Sequence, residues 1–74
     1  MKIKEMIEEM RNEIEEFVYD LEVYGKNYLV STDITFMDHD DMLRMNKTMK
    51  KYGFILETLE VSDDGLQFEF VESD

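Results

Sequence analysis

The sequence contains no cysteine, no proline and no tryptophan, and it has one histidine and three glycines among 74 residues. Without cysteine, neither disulfide bonds nor thiolate metal ligands can stabilise the chain. No segment approaches the roughly 20 apolar residues that span a bilayer. Lys2 and Lys4 precede an amphipathic segment, whereas a signal peptide has an apolar run there. We therefore expect a soluble cytoplasmic protein without a cofactor, and its length predicts one domain, residues 1–74.

Positive charge is scarce as well. Nineteen acidic residues stand against eight basic ones, which gives a net charge of −11. A magnitude of roughly 2–8 is ample for the solubility of a small domain. Because nucleic acids and anionic lipids would be repelled, the excess favours a basic protein surface as the partner. The plain alternative is that the acidity only aids solubility.

The stretch from Ile3 to Tyr24 predicts one long amphipathic helix. Gly25 suits the left-handed position that often follows a helix end. Asp20 and Glu22 then lie in the last turn, where the helix dipole disfavours anions. The apolar residues recur at steps of one, three and four, as on one helix face: Ile3, Met6, Ile7, Met10, Ile14, Phe17, Val18 and Leu21.

The opposite side of this predicted helix is acidic. Like charges three or four residues apart each cost a few tenths of a kcal/mol, and packing does not require them. We therefore interpret this side as a functional surface. Its carboxylates form two parallel lines, with Glu5, Glu9, Glu13, Glu16 and Asp20 in the first and Glu8, Glu15 and Glu22 in the second.

A strand and a second helix follow in the sequence. Apolar and polar residues alternate from Tyr28 to Phe36, which predicts a half-buried strand. Asp38 suits the N-cap of the second helix, which Gly53 ends. Basic residues crowd the C-terminal half of this helix, in agreement with its dipole.

The last part of the chain predicts a hairpin, with strands 54–61 and 66–72 around an Asp-Gly turn. Pairing Val61 with Leu66 sets Leu59 opposite Phe68, whereas a one-residue slip would set Glu60 there. In this register one face carries Ile55, Leu59, Val61, Leu66, Phe68 and Phe70, with Glu57 opposite Phe70 at a sheet edge. The other face carries Phe54, Leu56, Thr58, Glu60, Gln67, Glu69 and Val71.

These elements predict an α+β fold in the order α-β-α-β-β. Hydrophobic residues make up 43% of the chain, too many for a disordered protein. A three-stranded, mainly antiparallel sheet with both helices on one face buries all the apolar stripes. The third strand lies centrally, or the first two strands pair in parallel, and the sequence leaves both orders open.

The sequence offers little chemistry for catalysis. His39 adjoins acidic residues at the start of the second helix, but no second histidine or cysteine completes a metal site. When Gly65 is aligned with the sixth position of a calcium loop, Val71 falls where the bidentate glutamate belongs. No serine has a nucleophile motif, and no glycine-rich phosphate loop is present. We expect neither an enzyme nor a metal site.

The acidic surface suggests a decoy for nucleic acid. A row of single negative charges approximates the phosphate line that DNA-binding proteins contact with lysine and arginine. The run from Glu5 to Asp20 would cover about 22 Å at 1.5 Å per residue. We interpret the surface as one that occupies the DNA site of a basic protein. Further acids on the sheet face and at the hairpin tip extend it, namely Asp33, Glu60, Asp63, Asp64 and Glu69.

In size, charge and mixed α/β build, the chain resembles the small acidic DNA-mimic proteins with which bacteriophages disable host DNA-binding proteins. Within that group it is most similar to the phage inhibitor of the bacterial histone-like nucleoid protein HU. The resemblance covers the whole chain but rests on charge layout, so it assigns no role to an individual residue. It implies a viral protein of the host cytoplasm or nucleoid that displaces DNA from HU.

Two other classes of function remain open. An acidic interaction module or inhibitor would act through specific contacts on another host protein, such as RNA polymerase, a nuclease or a chaperone. A homodimeric structural protein would instead pair through an apolar patch on the open side of the sheet. That patch would consist of Leu29, Phe54, Leu56 and Val71.

Overall fold

The computed structural model describes residues 2–73, which form two helices and four strands. The strands form one antiparallel sheet in the order β1-β2-β4-β3. The predicted three-stranded sheet and the order α-β-α-β-β are therefore wrong, because the chain forms one more strand. The elements are α1 (Lys2–Glu13), β1 (Tyr19–Tyr24), β2 (Asn27–Thr32), α2 (His39–Lys51), β3 (Phe54–Ser62) and β4 (Gly65–Glu72).

The additional strand, β1, comes from the C-terminal half of the stretch that predicted a single helix. Its sequence, YDLEVY, alternates apolar and polar residues and is rich in aromatic and branched side chains, which favour a strand. Gly25 does not cap a helix. It has a φ of 61° and lies in the two-residue loop that joins β1 to β2. As a strand, this segment no longer carries Asp20 and Glu22 into a helix C-terminus, where they would be disfavoured.

The helices bury the apolar faces that their periodicity predicts. In α1, the buried residues are Ile3, Met6, Ile7 and Met10. The side chain of Asp38 accepts a hydrogen bond of 2.8 Å from the backbone N–H of Asp41, so the predicted N-cap of α2 is confirmed. Gly53 follows the last turn of α2 with a φ of 83°.

The β3–β4 hairpin has the predicted register at its closed end and a bulge further along. Val61 pairs with Leu66, and Leu59 pairs with Phe68. At Glu57 the ladder shifts by one residue, so that Leu56 rather than Glu57 lies opposite Phe70. The bulge exchanges the faces of the first residues of β3. Phe54 is buried and Ile55 is 53% exposed, so the predicted facing of both was wrong.

One apolar layer lies between the two helices and one face of the sheet. The central strand β4 supplies Leu66, Phe68 and Phe70 to it, and all three are buried. Tyr28, Phe54 and Phe70 form an aromatic cluster whose ring centroids lie 5.5–6.0 Å apart. Both helices contribute buried residues to this same layer, so the opposite face of the sheet has no helix on it.

Strand β2 ends at Thr32, earlier than the predicted Phe36. The Thr32 hydroxyl donates a hydrogen bond of 2.9 Å to the carbonyl oxygen of Leu66. Beside this contact, Gly65 approaches the backbone of β2 so closely that a Cβ would lie 1.8 Å from the Thr32 carbonyl oxygen. The hairpin turn is thus packed against the point where the chain leaves the sheet.

Replacing Gly65 with alanine should destabilise the fold by about 2–3 kcal/mol, because the new methyl group meets backbone that cannot give way. Gly25→Ala is the matched control. Gly25 also has a positive φ, but nothing lies within 4 Å of its Cβ position. Its replacement should therefore destabilise the fold by only about 1 kcal/mol, the cost of the strained backbone conformation. Urea unfolding followed by circular dichroism measures both values. Equal losses would contradict the close packing of Gly65 on β2.

Candidate functional site

The side of the sheet without helices is named here the open face. Side chains alternate along each strand, so the pairing register decides which of them share this face. Three residues from each strand form rows that are in register across all four strands. They are Asp20, Glu22 and Tyr24 of β1, Asn27, Leu29 and Ser31 of β2, Gln67, Glu69 and Val71 of β4, and Ile55, Thr58 and Glu60 of β3.

The negative charge is concentrated in the sheet layer. Residues 19–33 and 54–73, which form the strands and their turns, contain nine acidic residues and one lysine, a net charge of −8. Residues 2–18 and 34–53, which include both helices, contain nine acidic and seven basic residues, a net charge of −2. The helical layer is therefore nearly balanced, and the sheet layer carries most of the excess.

Ion pairs are concentrated in the helical layer, and one more, between Lys2 and Glu72 at 3.9 Å, joins it to the sheet layer. Within the helical layer, Arg11 lies 2.9 Å from Glu8 and 3.6 Å from Glu16, and Lys51 lies 2.7 Å from Glu9. Among residues 2–73, no lysine, arginine or histidine nitrogen lies within 4.0 Å of a carboxylate on the open face. Those four carboxylates, of Asp20, Glu22, Glu60 and Glu69, therefore have no ion-pair partner in this part of the chain.

The four carboxylates lie in two adjacent rows across the sheet. Glu22 and Glu69 belong to one row, and Asp20 and Glu60 belong to the next. Strand spacing of about 4.8 Å and the two-residue repeat place neighbouring acids roughly 7–10 Å apart. A shallow depression of about 270 Å³ lies among Leu29, Thr58, Glu60, Gln67 and Glu69.

Tyr24 responds to the charge of this face. Its hydroxyl donates a hydrogen bond to the carboxylate of Glu22. This bond, followed by the charge of Glu22 itself, raises the pKa of Tyr24, and the more distant charge of Glu69 adds to it. Glu22 of β1 and Glu69 of β4 thus both raise the pKa of the Tyr24 phenol.

The acidic line predicted along the first helix does not exist. Helix α1 ends at Glu13, so Glu15 and Glu16 lie in the connection to β1, and Asp20 and Glu22 lie on the sheet. The physical reason is the change of period, because residues that would be neighbours on a helix point elsewhere on a strand. Of the eight acidic residues in the two predicted lines, only four are helical, namely Glu5, Glu8, Glu9 and Glu13.

Two of these helical carboxylates face α2 rather than a partner. Glu9 accepts a hydrogen bond of 2.7 Å from Lys51, and this bond raises the pKa of that lysine. Glu13 accepts a hydrogen bond of 2.9 Å from the hydroxyl of Thr48, which is buried. The groove between the helices, about 580 Å³, is lined by both signs of charge. Glu9 and Glu13 therefore hold α1 against α2.

The remaining predicted acids lie at one end of the sheet. Asp33 follows β2, and its carboxylate accepts a hydrogen bond of 3.0 Å from the backbone N–H of Val18. Asp63 and Asp64 are exposed at the tip of the β3–β4 hairpin, whose Gly65 packs on Thr32. This end of the sheet adjoins Asp20 and Glu60, so the acidic field continues past the edge of the open face.

The predicted apolar dimer patch is divided between the two faces. Leu29 and Val71 lie on the open face, whereas Phe54 and Leu56 face the helices because of the bulge at Glu57. Sequence reasoning instead missed Tyr24 and Ile55 as open-face residues. The alternation in residues 19–24 was the signal for Tyr24, and no signal in the sequence marks the bulge.

No group of three His, Cys, Asp or Glu side chains within residues 2–73 has the geometry to hold a metal ion. Neither helix in this part of the chain is long and apolar enough to cross a membrane. No protein-family model, curated protein or solved structure matches the chain. The candidate surface is therefore defined by register and charge alone.

Removing the carboxylate of Glu13 should lower stability by about 1 kcal/mol, because the buried Thr48 hydroxyl loses its acceptor. Thermal unfolding of Glu13→Ala measures the loss. Glu15→Ala is the control, since Glu15 makes no ion pair or side-chain hydrogen bond within residues 2–73. It removes the same charge from an overcharged protein, so an unchanged or higher Tm is expected. A higher Tm for Glu13→Ala would contradict its structural role.

Replacing Glu22 with glutamine should lower the pKa of Tyr24 toward its ordinary value of 10.0, because the phenolate then meets no adjacent anion. An alkaline titration of tyrosinate absorbance measures the change. Tyr24→Phe identifies which of the four tyrosines responds. If Glu22→Gln and the distant Glu15→Gln give the same curve as the parent protein, Tyr24 does not sense the open face.

Proposed function

We propose that the protein is an acidic DNA mimic that binds the DNA-binding surface of a basic protein through the open face of its sheet. The observation that carries this proposal is the division of charge, −8 in the sheet layer and −2 in the helical layer. Charge needed only for solubility has no reason to collect in one layer, and four of the nine acidic residues of the sheet layer lie on its open face. A strongly one-signed surface favours encounter with a surface of the opposite sign.

A DNA-binding protein is the partner class that this surface fits. Such proteins place lysines and arginines against regularly spaced phosphates, and most of their contacts are to that backbone. Within residues 2–73, the open face offers four carboxylates without a cation partner, with neighbours roughly 7–10 Å apart. The resemblance to phage DNA mimics makes HU the first partner to test, in the host cytoplasm or nucleoid. Basic surfaces of RNA polymerase or of a nuclease are the alternative targets.

A face-to-face homodimer through the open face is disfavoured by the same charges. Two copies would bring eight carboxylates together, four from each, with no cation of the open face to compensate them. Like charges opposed across an interface cost several kcal/mol in total. The aliphatic residues on this face are Leu29, Ile55 and Val71. They replace a predicted patch of four residues that included Phe54.

The proposal is tested by neutralising the open face. A sheet variant carries Asp20→Asn, Glu22→Gln, Glu60→Gln and Glu69→Gln. A helix variant carries Glu5→Gln, Glu15→Gln, Glu16→Gln and Asp40→Asn, and it loses the same total charge from the other layer. Purified HU, a fluorescent DNA duplex and each protein are combined, and displacement of DNA is followed by anisotropy.

The sheet variant should displace DNA at least about tenfold less effectively than the parent protein, a difference of about 1.4 kcal/mol. The helix variant should remain within about twofold, because local charge matters more than net charge within a Debye length of roughly 10 Å. Displacement should also weaken as salt is added. Equal losses in both variants would contradict the assignment to the open face. A parent protein that displaces DNA neither from HU nor from other basic proteins captured from a bacterial lysate would contradict DNA mimicry itself.

A further inference from the structure

The open face is graded along its strands rather than uniformly acidic. The pairing register divides it into three rows that run across the sheet. The row nearest the β1–β2 turn is uncharged, and the two rows beyond it hold all four carboxylates. In strand order, the rows are Tyr24, Asn27, Val71 and Ile55, then Glu22, Leu29, Glu69 and Thr58, then Asp20, Ser31, Gln67 and Glu60.

The uncharged row exposes large apolar side chains. Tyr24 is 55% exposed and Ile55 is 53% exposed, with Val71 between them. Ile55 reaches this row only because the bulge at Glu57 turns the start of β3 over. Helix packing does not require the row, since the core is complete on the opposite face. An exposed apolar row bordered by polar residues is typical of a contact surface.

Charges at both ends of the strands increase the difference between the apolar row and the acidic rows. The single lysine of the sheet layer, Lys26, lies in the β1–β2 turn, beside the apolar row. At the opposite end, Asp63 and Asp64 extend the acidic rows beyond the sheet edge. A cation on the open face is thus attracted more strongly to the hairpin end than to the turn end.

From this gradient we infer that the open face docks an amphipathic basic polypeptide segment, with its cations over the acidic rows and a large apolar side chain over the apolar row. The inference rests on the proposed function and specifies the partner's chemistry. The outer rows are four residues apart, about 13 Å at 3.3–3.4 Å per residue. An extended segment of about five residues spans that distance, as does a helix of about nine.

The test uses two synthetic peptides of equal length and charge. Both begin with four lysines and a flexible Gly-Ser spacer of about five residues, which is long enough to cross the rows. The anchored peptide ends in Phe-Ile, and the plain peptide ends in Ser-Ser. Isothermal titration calorimetry of the full-length protein with each peptide gives the affinities, and the comparison on the parent protein needs no variant.

The parent protein should bind the anchored peptide about tenfold more tightly, the gain expected from burying part of a large apolar side chain. The double variant Ile55→Thr and Val71→Thr should remove this advantage and leave the affinity for the plain peptide unchanged. Val18→Thr with Val61→Thr is the matched control, since both valines are exposed elsewhere, and it should keep the advantage.

Equal affinity of the two peptides for the parent protein would overturn the inference. The inference would also be overturned if the Ile55 and Val71 variant still bound the anchored peptide more tightly than the plain one. Loss of that difference in the control variant would overturn it as well. These outcomes are separate from the test of the proposed function, in which the parent protein and the sheet and helix variants are compared for displacement of DNA from HU or another basic protein. A protein that displaces DNA but ignores the anchor would be a purely electrostatic mimic.

Discussion

The fold depends on a single layer of apolar packing between two helices and one face of a four-stranded sheet. Strand β4 lies inside the sheet, and its buried residues Leu66, Phe68 and Phe70 belong to the same apolar cluster as the buried residues of both helices. The two helices, of 12 and 13 residues, both pack on one face of the sheet. Within residues 2–73, no helix covers the other face. Alternation along the strands then frees every second residue from packing, and those positions carry the carboxylates.

This one-sided architecture also explains why the two layers differ in charge. The helices approach each other closely enough for Lys51 to bind Glu9 and for Thr48 to bind Glu13, so acids of α1 are compensated by α2. In the described part of the chain, no helix faces the open face, and no cation nitrogen lies within 4.0 Å of its carboxylates. Mutual repulsion of its carboxylates lowers the stability of a domain that is already small. Binding a basic surface would relieve that repulsion, so the same carboxylates that destabilise the fold would favour the proposed complex.

Local signals predicted much of the fold correctly, and competition between signals accounts for the errors. The N-cap at Asp38, the buried stripe of α1 and the pairing of Val61 with Leu66 each follow from a few neighbouring residues. The segment YDLEVY fits a period of two as well as one of 3.6 when the preceding helix extends into it. The bulge at Glu57 leaves no mark in the sequence, because it depends on how β3 meets β4 and α2.

The incorrectly predicted helix led to a wrong position for the candidate site, but it did not affect the class of partner that the net charge favours. Net charge alone favours a basic partner, and this argument holds for any fold. The position of the site depends on which acids share a face, and that depends on the secondary structure. Acids placed at a helix C-terminus against the dipole were the warning, since Asp20 and Glu22 conflict with a helix but not with a strand. On the edge strand β1 they lie in the same two rows as Glu69 of β4 and Glu60 of β3, so the residues that fitted the helix least well supply half of the open-face carboxylates.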